Sequence, residues 1–239
     1  MPYKKSAARK DYEKVIKYYI KQSKTASLKK NKIQYDLKQC IYKASFFQSS
    51  AALEEYIKSI FEDWITALYA RNKTIKSLPY ELINLGVARK NLATYKNYIL
   101  DGNEKKLIDD IKKNTSVPLF YNDSTLVRQI IHQSEFVGDK KYPSEKNLTT
   151  VFKRFGINEI FNEINRRGHK DYKILLKSFS DKRTSIAHEI TSTDLTLSDV
   201  ITNLNNINQL VDKLDRVLHK HVCKYSGTDC WTSSRSIDF

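Results

Sequence analysis

Glycine and proline are scarce in this sequence, with only 6 and 4 copies among 239 residues. Average proteins contain about 7% glycine and 5% proline, so turn-dense β-sandwiches and propellers are disfavoured. The sequence has no apolar run of about 18 residues, the length that a membrane-spanning helix requires. The basic start, Met1-Pro2-Tyr3-Lys4-Lys5, is not followed by the apolar segment of a secretory signal. These absences predict a cytoplasmic protein that does not cross a membrane.

Cysteine and the common cofactor motifs are also nearly absent. Three cysteines cannot all pair within one chain, and Cys40 is far in sequence from Cys223 and Cys230, so we expect a reduced protein. There is no P-loop, no glycine-rich dinucleotide fingerprint, no Gly-x-Ser-x-Gly elbow and no His-Glu-x-x-His zinc helix. The acidic residues are dispersed rather than clustered as a magnesium nuclease needs. We therefore expect neither a cofactor nor a metal ion.

Positive charge is abundant and unevenly distributed. The net charge is +15, and residues 1–50 contribute 13 Lys/Arg against 3 Asp/Glu. Such a surplus indicates a polyanion or an anionic surface as partner. We divide the chain into a basic N-terminal helix or arm (1–32), a helical domain (33–224) and a flexible tail (225–239). One alternative is a basic helical protein that binds DNA or a membrane surface through residues 1–50; a simply solvated helix face is another.

The apolar residues recur at helical spacing almost throughout, which predicts an all-α fold. One apolar stripe predicts a long helix at about 33–71, and a second, spaced alternately by four and three residues, predicts a C-terminal helix at about 198–222. Ser144 is a predicted N-cap, and Gly156 is the predicted residue just past the end of that helix. The members of the two stripes are Leu37, Ile41, Ala44, Phe47, Ala51, Ile57, Phe61, Trp64 and Leu68, then Val200, Leu204, Ile207, Val211, Leu214 and Leu218.

A carboxylate interrupts the stripe of the long helix. Glu54 lies between Ala51 and Ile57 on the same face. Burying an unpaired carboxylate costs several kcal/mol, so Glu54 needs a partner. An internal ion pair or a hydrogen bond between helices is the favoured interpretation, and a carboxylate at an active site is the alternative.

Four potential zinc ligands occur near the C-terminus. His219, His221, Cys223 and Cys230 are all residue types that bind zinc. Their spacing matches no common zinc finger, and on a helix His221 points away from His219 and Cys223. A helix end followed by a loose tail is therefore favoured over a zinc site.

An arginine and a histidine stand five residues apart near the start of the last third of the chain. On an ideal helix, five residues separate the side chains of Arg183 and His188 by about 140°. One straight helix cannot aim both at one point. Either the helix ends near Ile186, or the two side chains act with groups from elsewhere, such as a second subunit.

This segment, Lys182-Arg183-Thr184-Ser185-Ile186-Ala187-His188-Glu189, resembles the motif of HEPN domains of the RiboL-PSP type. That family carries an Arg-(four to six residues)-His motif, often Arg-Asn-x-x-x-His. Three further phrases resemble the family in order: residues 50–57, residues 147–160 and residues 195–200. Thr184 replaces the usual Asn and Glu189 the usual Gly, which leaves open an altered geometry at the site.

The resemblance implies a HEPN-like helical bundle in residues 33–224 that dimerises so that both Arg-His motifs line one cleft. It also implies a metal-independent endoribonuclease in which His188 transfers protons and Arg183 stabilises the transition state. Lys182 and Ser185 would assist at the phosphate, with Thr184 beside them, and Glu54 would orient Arg183 or His188. The implied partners are RNA, with transfer RNA a candidate, and an antitoxin or a neighbouring defence protein. The alternative is a non-catalytic module that binds RNA or a protein.

Overall fold

The computed structural model describes residues 2–113, 123–132, 143–188 and 194–234, apart from the side chains of 90, 91, 93, 94, 97 and 110–113. These residues form α-helices joined by short turns. The one β pairing among them is an isolated antiparallel bridge between Thr74 and Leu126. The predicted all-α class is confirmed.

The two long helices that the apolar stripes predict are both present. The helices are α1 (Ala7–Ser27), α2 (Tyr35–Ala70), α3 (Tyr80–Asp101), α4 (Glu104–Lys113), α5 (Val127–Ile130), α6 (Glu145–Arg154), α7 (Ile160–Gly168), α8 (Tyr172–His188) and α9 (Leu197–Tyr225), with 3-10 turns at Lys29–Asn31, Ile75–Ser77 and Thr228–Cys230. The Ser144 side chain caps α6 by accepting a hydrogen bond from the backbone N–H of Asn147. Gly156 follows α6 with φ +80°, and a Cβ there would meet Pro79 at 2.5 Å. Both local predictions are confirmed.

Helix α2 forms the centre of the bundle, and its neighbours cover three of its sides. Phe61 stacks on Phe155 with ring centroids 3.9 Å apart, and Phe46 stacks on Phe179 of α8 at 5.9 Å. The predicted seam of α9 is buried along its whole length. Within the described ranges, each helix is too short or too polar to cross a membrane.

The predicted stripe of α2 is buried only in its C-terminal half, from Ile57 to Leu68. In the N-terminal half Leu37 is 55% exposed and Ala44 and Ala51 are exposed, because there α2 turns Tyr42, Phe46 and Leu53 to the core instead. Burial of the apolar faces of α2 and α9 is the main stabilising contribution to the fold.

Contacts between the helices fix their directions. Ser23 of α1 lies 3.0 Å from Ser45 of α2 between hydroxyl oxygens, and the rings of Tyr12 and Tyr56 are 6.0 Å apart, so α1 runs antiparallel to α2. Gln39 of α2 exchanges two hydrogen bonds with the backbone of Leu195, just before α9.

The far ends of α2 and α9 meet as well, because Trp64 Nε1 donates to Ser226 Oγ at 2.9 Å. Helix α9 is therefore parallel to α2. Lys170 Nζ, just before α8, donates to Gln209 Oε1 at 2.7 Å, and Lys182 near the end of α8 lines a groove with Asp199 near the start of α9. Helix α8 therefore runs antiparallel to α9. The C-terminal ends of α1 and α8 thus gather at the end of the bundle where α2 and α9 begin, called below the α2 N-terminal end.

A fully buried carboxylate ties the N-terminal segment to α9. Asp215 accepts hydrogen bonds from the Tyr3 hydroxyl, from the backbone N–H and hydroxyl of Ser6, and from the Tyr56 hydroxyl. Arg9 adds an ion pair to Asp212, with 2.6 Å between Nη1 and Oδ1. Burial raises the pKa of Asp215, while the hydrogen bonds from Ser6 and Tyr3 oppose that rise. The start of α1 is therefore locked onto the last long helix.

The two ends of the chain differ from the arm and the tail that the sequence predicts. In α1, Ala8, Tyr12, Ile16 and Ala26 are buried in the same core as α2 and α9, because the face of α1 opposite its lysines is apolar. Residues 226–234 also pack on the bundle: Cys230 is buried, Trp231 Nε1 donates to the carbonyl of Lys4 at 2.9 Å, and Ala7 N–H donates to the carbonyl of Thr232 at 3.0 Å. Residues 235–239 lie outside the described part, and the domain boundaries themselves stay a prediction.

Candidate functional site

The Arg-His motif occupies the last turns of α8. The helix continues through His188, so it does not end near Ile186 as one of the two sequence alternatives requires. Arg183 follows the buried stripe of α8, three and seven residues from Ile186 and Leu176, whereas His188 is exposed. Within one chain, the two side chains therefore leave the helix in different directions.

Arg183 packs against the central helix. Its side chain is half-buried, and its guanidinium carbon lies 5.6 Å from the centre of the Phe47 ring. A guanidinium over an aromatic face at this distance is held by a cation–π interaction. The contact keeps a permanent positive charge at the junction of α8 and α2.

Glu54, the out-of-pattern carboxylate of α2, lies in the electrostatic range of Arg183. Burial raises the pKa of Glu54, and the positive charge of Arg183 lowers it in opposition. The carboxylate is half-buried rather than fully buried, so part of its charge is solvated. The nearest charge that acts on Glu54 is thus a residue of the motif, while the ion pair or hydrogen bond that the sequence predicts for Glu54 stays a prediction.

Lys182 and Ser185 lie on another face of α8 and line a shallow groove between α8 and α9. The other lining residues are Ile174, Lys177, Ser178, Asp181, Asp199 and Asn203. Hydrogen bonds from the side chain and backbone of Thr196 hold the pKa of Asp199 low, and the charge of Lys182 adds to the effect. Two lysines face two aspartates here, so the groove is close to neutral. Thr184 is exposed and lies outside the groove.

The four candidate zinc ligands do not converge. Cys223 Sγ lies 3.7 Å from His219 Nε2, but His221 Nε2 bonds the carbonyl oxygen of Phe155 at 2.8 Å, on another side of α9. Across the described ranges, which include all four residues, no group of three or more His, Cys, Asp or Glu side chains is arranged to hold a metal ion. His219 instead packs edge-on against Tyr3 and Trp231, and all three cysteines are free thiols.

The structure therefore groups the predicted site residues into three sets. Arg183 packs on Phe47 within electrostatic range of Glu54, Lys182 and Ser185 share the groove, and His188 stands exposed at the helix end. Sequence reasoning missed Phe47 and Asp199 as members of these sets. Phe47 was visible only as one member of an apolar stripe, and Asp199 only as a residue near the start of α9.

Comparison with known proteins gives one result. A family model described as RiboL-PSP-HEPN matches residues 7–220, which includes Glu54 and the motif residues 182–188. No curated protein and no solved structure matches the chain. The match begins at the first residue of α1, in agreement with the packing of α1 into the common core.

Proposed function

Because the chain belongs to the RiboL-PSP-HEPN family, we propose that it is an endoribonuclease that cleaves RNA without a metal ion. The observation that supports this most strongly is the position of the motif. His188 is exposed at the C-terminal end of α8, open to a large substrate, while Arg183 is held against Phe47 at the same end of the bundle.

The proposed reaction uses the 2′-hydroxyl of the RNA as the nucleophile. A base removes its proton, the 2′-oxygen attacks the adjacent phosphorus, and the bond from phosphorus to the 5′-oxygen breaks. An acid returns a proton to the leaving 5′-oxygen, which leaves a 2′,3′-cyclic phosphate and a 5′-hydroxyl. An imidazole titrates near neutral pH and can exchange these protons, which is the role of His188. Arg183 stays charged and stabilises the oxygens of the transition state.

Glu54 is a positioning residue in this proposal. Its charge faces Arg183 from α2, so it favours the guanidinium orientation that Phe47 also supports. Lys182 is close to Asp199, which offsets part of its charge, and it offers the phosphate a point charge in place of the bidentate fork of Arg183. Ser185 offers a hydroxyl on the groove face, and exposed Thr184 is free to approach a substrate without a rearrangement of the fold.

We expect cleavage in the presence of EDTA, with products that carry 2′,3′-cyclic phosphate and 5′-hydroxyl ends. Neither proton transfer nor charge stabilisation in this scheme needs a metal ion. The measurement is an end-group assay on a labelled RNA, with the same oligonucleotide in DNA form as the control, because DNA lacks the 2′-hydroxyl. Cleavage of the DNA, or 5′-phosphate ends on the RNA, would contradict the scheme. A protein that binds RNA but leaves it whole would support the non-catalytic alternative.

The different directions of Arg183 and His188 support a homodimer in which the two motifs share one cleft. Mixing the Arg183→Gln and His188→Ala proteins, each inactive alone, then restores activity. Random exchange makes half of the dimers mixed, and each mixed dimer holds one intact Arg183–His188 pair, so roughly a quarter of wild-type activity is expected. Activity that stays at the level of the single variants after subunit exchange would show that each chain works alone.

A nuclease of this kind would act as a toxin or as an antiviral-defence effector, with an antitoxin or a neighbouring defence protein as its partner. Transfer RNA is a candidate substrate. Growth arrest on expression, relieved by His188→Ala, would support this role.

A further inference from the structure

Seven lysines and a single aspartate lie between residues 21 and 43, where α1 turns into α2. The four lysines at the turn, Lys24, Lys29, Lys30 and Lys32, are all exposed; they are called the basic joint below. Among the residues that the structure describes, none of their ammonium groups makes an ion pair or a hydrogen bond. Other exposed lysines of the chain do pair, such as Lys14 with Asp11 at 2.8 Å.

The basic joint is an ordered platform. Asn31 Nδ2 donates to the carbonyl of Thr25 at 2.6 Å, and Ser27 Oγ donates to the carbonyl of Lys24 at 2.7 Å. The Lys32 N–H donates to the carbonyl of Lys29 at 3.3 Å, which closes the 3-10 turn. Four unpaired positive charges on a fixed backbone cost little conformational freedom when a polyanion binds.

The helix directions bring the basic joint to the end of the bundle that holds His188. The contact of Ser23 with Ser45 places the C-terminal end of α1 beside the start of α2. Helix α8 approaches the same end in the opposite direction to α9 and finishes there at His188. Ser45 and Tyr56 of α2 face α1, whereas Phe46 and Phe47 face α8, so the two helices pack on different faces of α2, and packed helix axes lie about 8–10 Å apart. The joint and α8 are thus separated by about two packing distances, a gap that a short single strand can span.

An exposed aromatic residue begins α2 at the same end of the bundle. Tyr35, the first residue of α2, is 54% exposed, and its hydroxyl hydrogen-bonds Asp194 in the connection between α8 and α9. Surfaces that bind single-stranded nucleic acid combine lysines along the backbone with aromatic rings on which bases stack. The apolar face of α1 is already buried in the core, so this helix has no apolar face left to insert into a lipid bilayer.

We propose that the α2 N-terminal end binds single-stranded RNA, with the basic joint holding the phosphates and Tyr35 stacking on a base next to the cleavage site. This inference rests on the proposed nuclease function for its choice of RNA over other polyanions. The proposed surface differs from the basic arm that the sequence predicts. It uses only the lysines at the turn between α1 and α2, at the end of the bundle that holds the motif, and not the lysines spread along residues 1–32.

The test measures binding, so that it does not depend on cleavage. In a His188→Ala background, the triple change Lys29→Glu, Lys30→Glu and Lys32→Glu should weaken the affinity for a short single-stranded RNA by about tenfold or more. The slope of log K against log salt should become shallower by about 2, because each lost phosphate contact contributes about 0.7 on a single strand. The matched control replaces Lys153, Lys220 and Lys224 by glutamate. These three lysines are also exposed, and they lie at the opposite end of the bundle, where α2 and α9 end. It should change the affinity less than about threefold, because salt screens charges beyond about 10 Å.

Tyr35 is tested separately. Tyr35→Ala should weaken binding by about tenfold, whereas Tyr35→Phe should bind as the parent does, because the ring remains and only the hydroxyl is lost. The proposal would be overturned if the joint triple variant and the control triple variant weakened RNA binding equally. It would also be overturned if the joint triple variant lost binding to anionic lipid vesicles but kept its affinity for RNA. RNA binding through the joint without any cleavage by the wild-type protein would overturn the nuclease assignment and leave this surface as an RNA-binding site.

Discussion

Replacement of His188 by alanine is expected to lower RNA cleavage by about 10²–10⁴-fold, the usual contribution of a general acid or base. The fold should be unaffected, because His188 is exposed at the last position of α8. Substitutions at such surface positions change the free energy of unfolding by about 0.5 kcal/mol or less. A cleavage assay beside a thermal melt of the same preparation measures both quantities.

The matched control is His132→Ala, since His132 is also exposed and plays no part in the proposed chemistry. It should retain wild-type cleavage. An active His188→Ala protein would remove the assignment of proton transfer to this residue.

A loss of activity is harder to interpret for a substitution of Arg183 than for one of His188, because Arg183 also packs on Phe47 and lies in the field of Glu54. Removing it disturbs the junction of α8 and α2 as well as the site. Arg183→Lys is the better variant, since it keeps the charge but loses the planar, bidentate grip on phosphate. We expect lost turnover with a largely retained melting temperature.

Replacement of Asp215 by alanine is expected to lower the free energy of unfolding by about 3–5 kcal/mol. The carboxylate accepts four hydrogen bonds from Tyr3, Ser6 and Tyr56 inside the protein, and its removal leaves these donors unpaired. Each buried donor without an acceptor costs about 1–3 kcal/mol. Chemical denaturation at neutral pH is the measurement.

Asp229→Ala is the control for Asp215, because Asp229 makes exposed ion pairs with Arg71 and Lys73. Exposed pairs contribute about 1 kcal/mol or less. Tyr56→Phe removes a single donor to Asp215 and should cost an intermediate amount. A loss below about 1 kcal/mol for Asp215→Ala would show that the cluster contributes little to stability.

Local sequence signals predicted much of the fold. The apolar stripes placed α2 and α9 to within a few residues, and the N-cap at Ser144 and the helix end before Gly156 followed from residue type. The Arg183–His188 motif and the three further phrases resembled the family that the family model shows, and the misfit of Glu54 in an apolar stripe predicted an ion pair or a hydrogen bond, which stays a prediction. In each case the signal lies within one helix or one turn.

The remaining features depend on how distant segments meet. In the sequence, Asp215 is one more polar residue of α9. Only the fold shows that Tyr3 and Ser6 donate hydrogen bonds to it. The grouping of the basic joint with His188 depends on the directions of α1, α2 and α8, which no periodicity encodes. The packing of Trp231 on Lys4 likewise joins the two ends of the chain, and spacing within either end gives no sign of it.

The contact between the chain ends has a consequence for biosynthesis. The first helix is held by Asp215 and by the carbonyl of Thr232, residues that leave the ribosome more than 200 positions after it. Contacts of such high sequence separation form late in folding. The bundle is therefore completed only after residue 232 has left the ribosome, so a shorter nascent chain would lack the finished bundle while it is surrounded by the cell's own RNA.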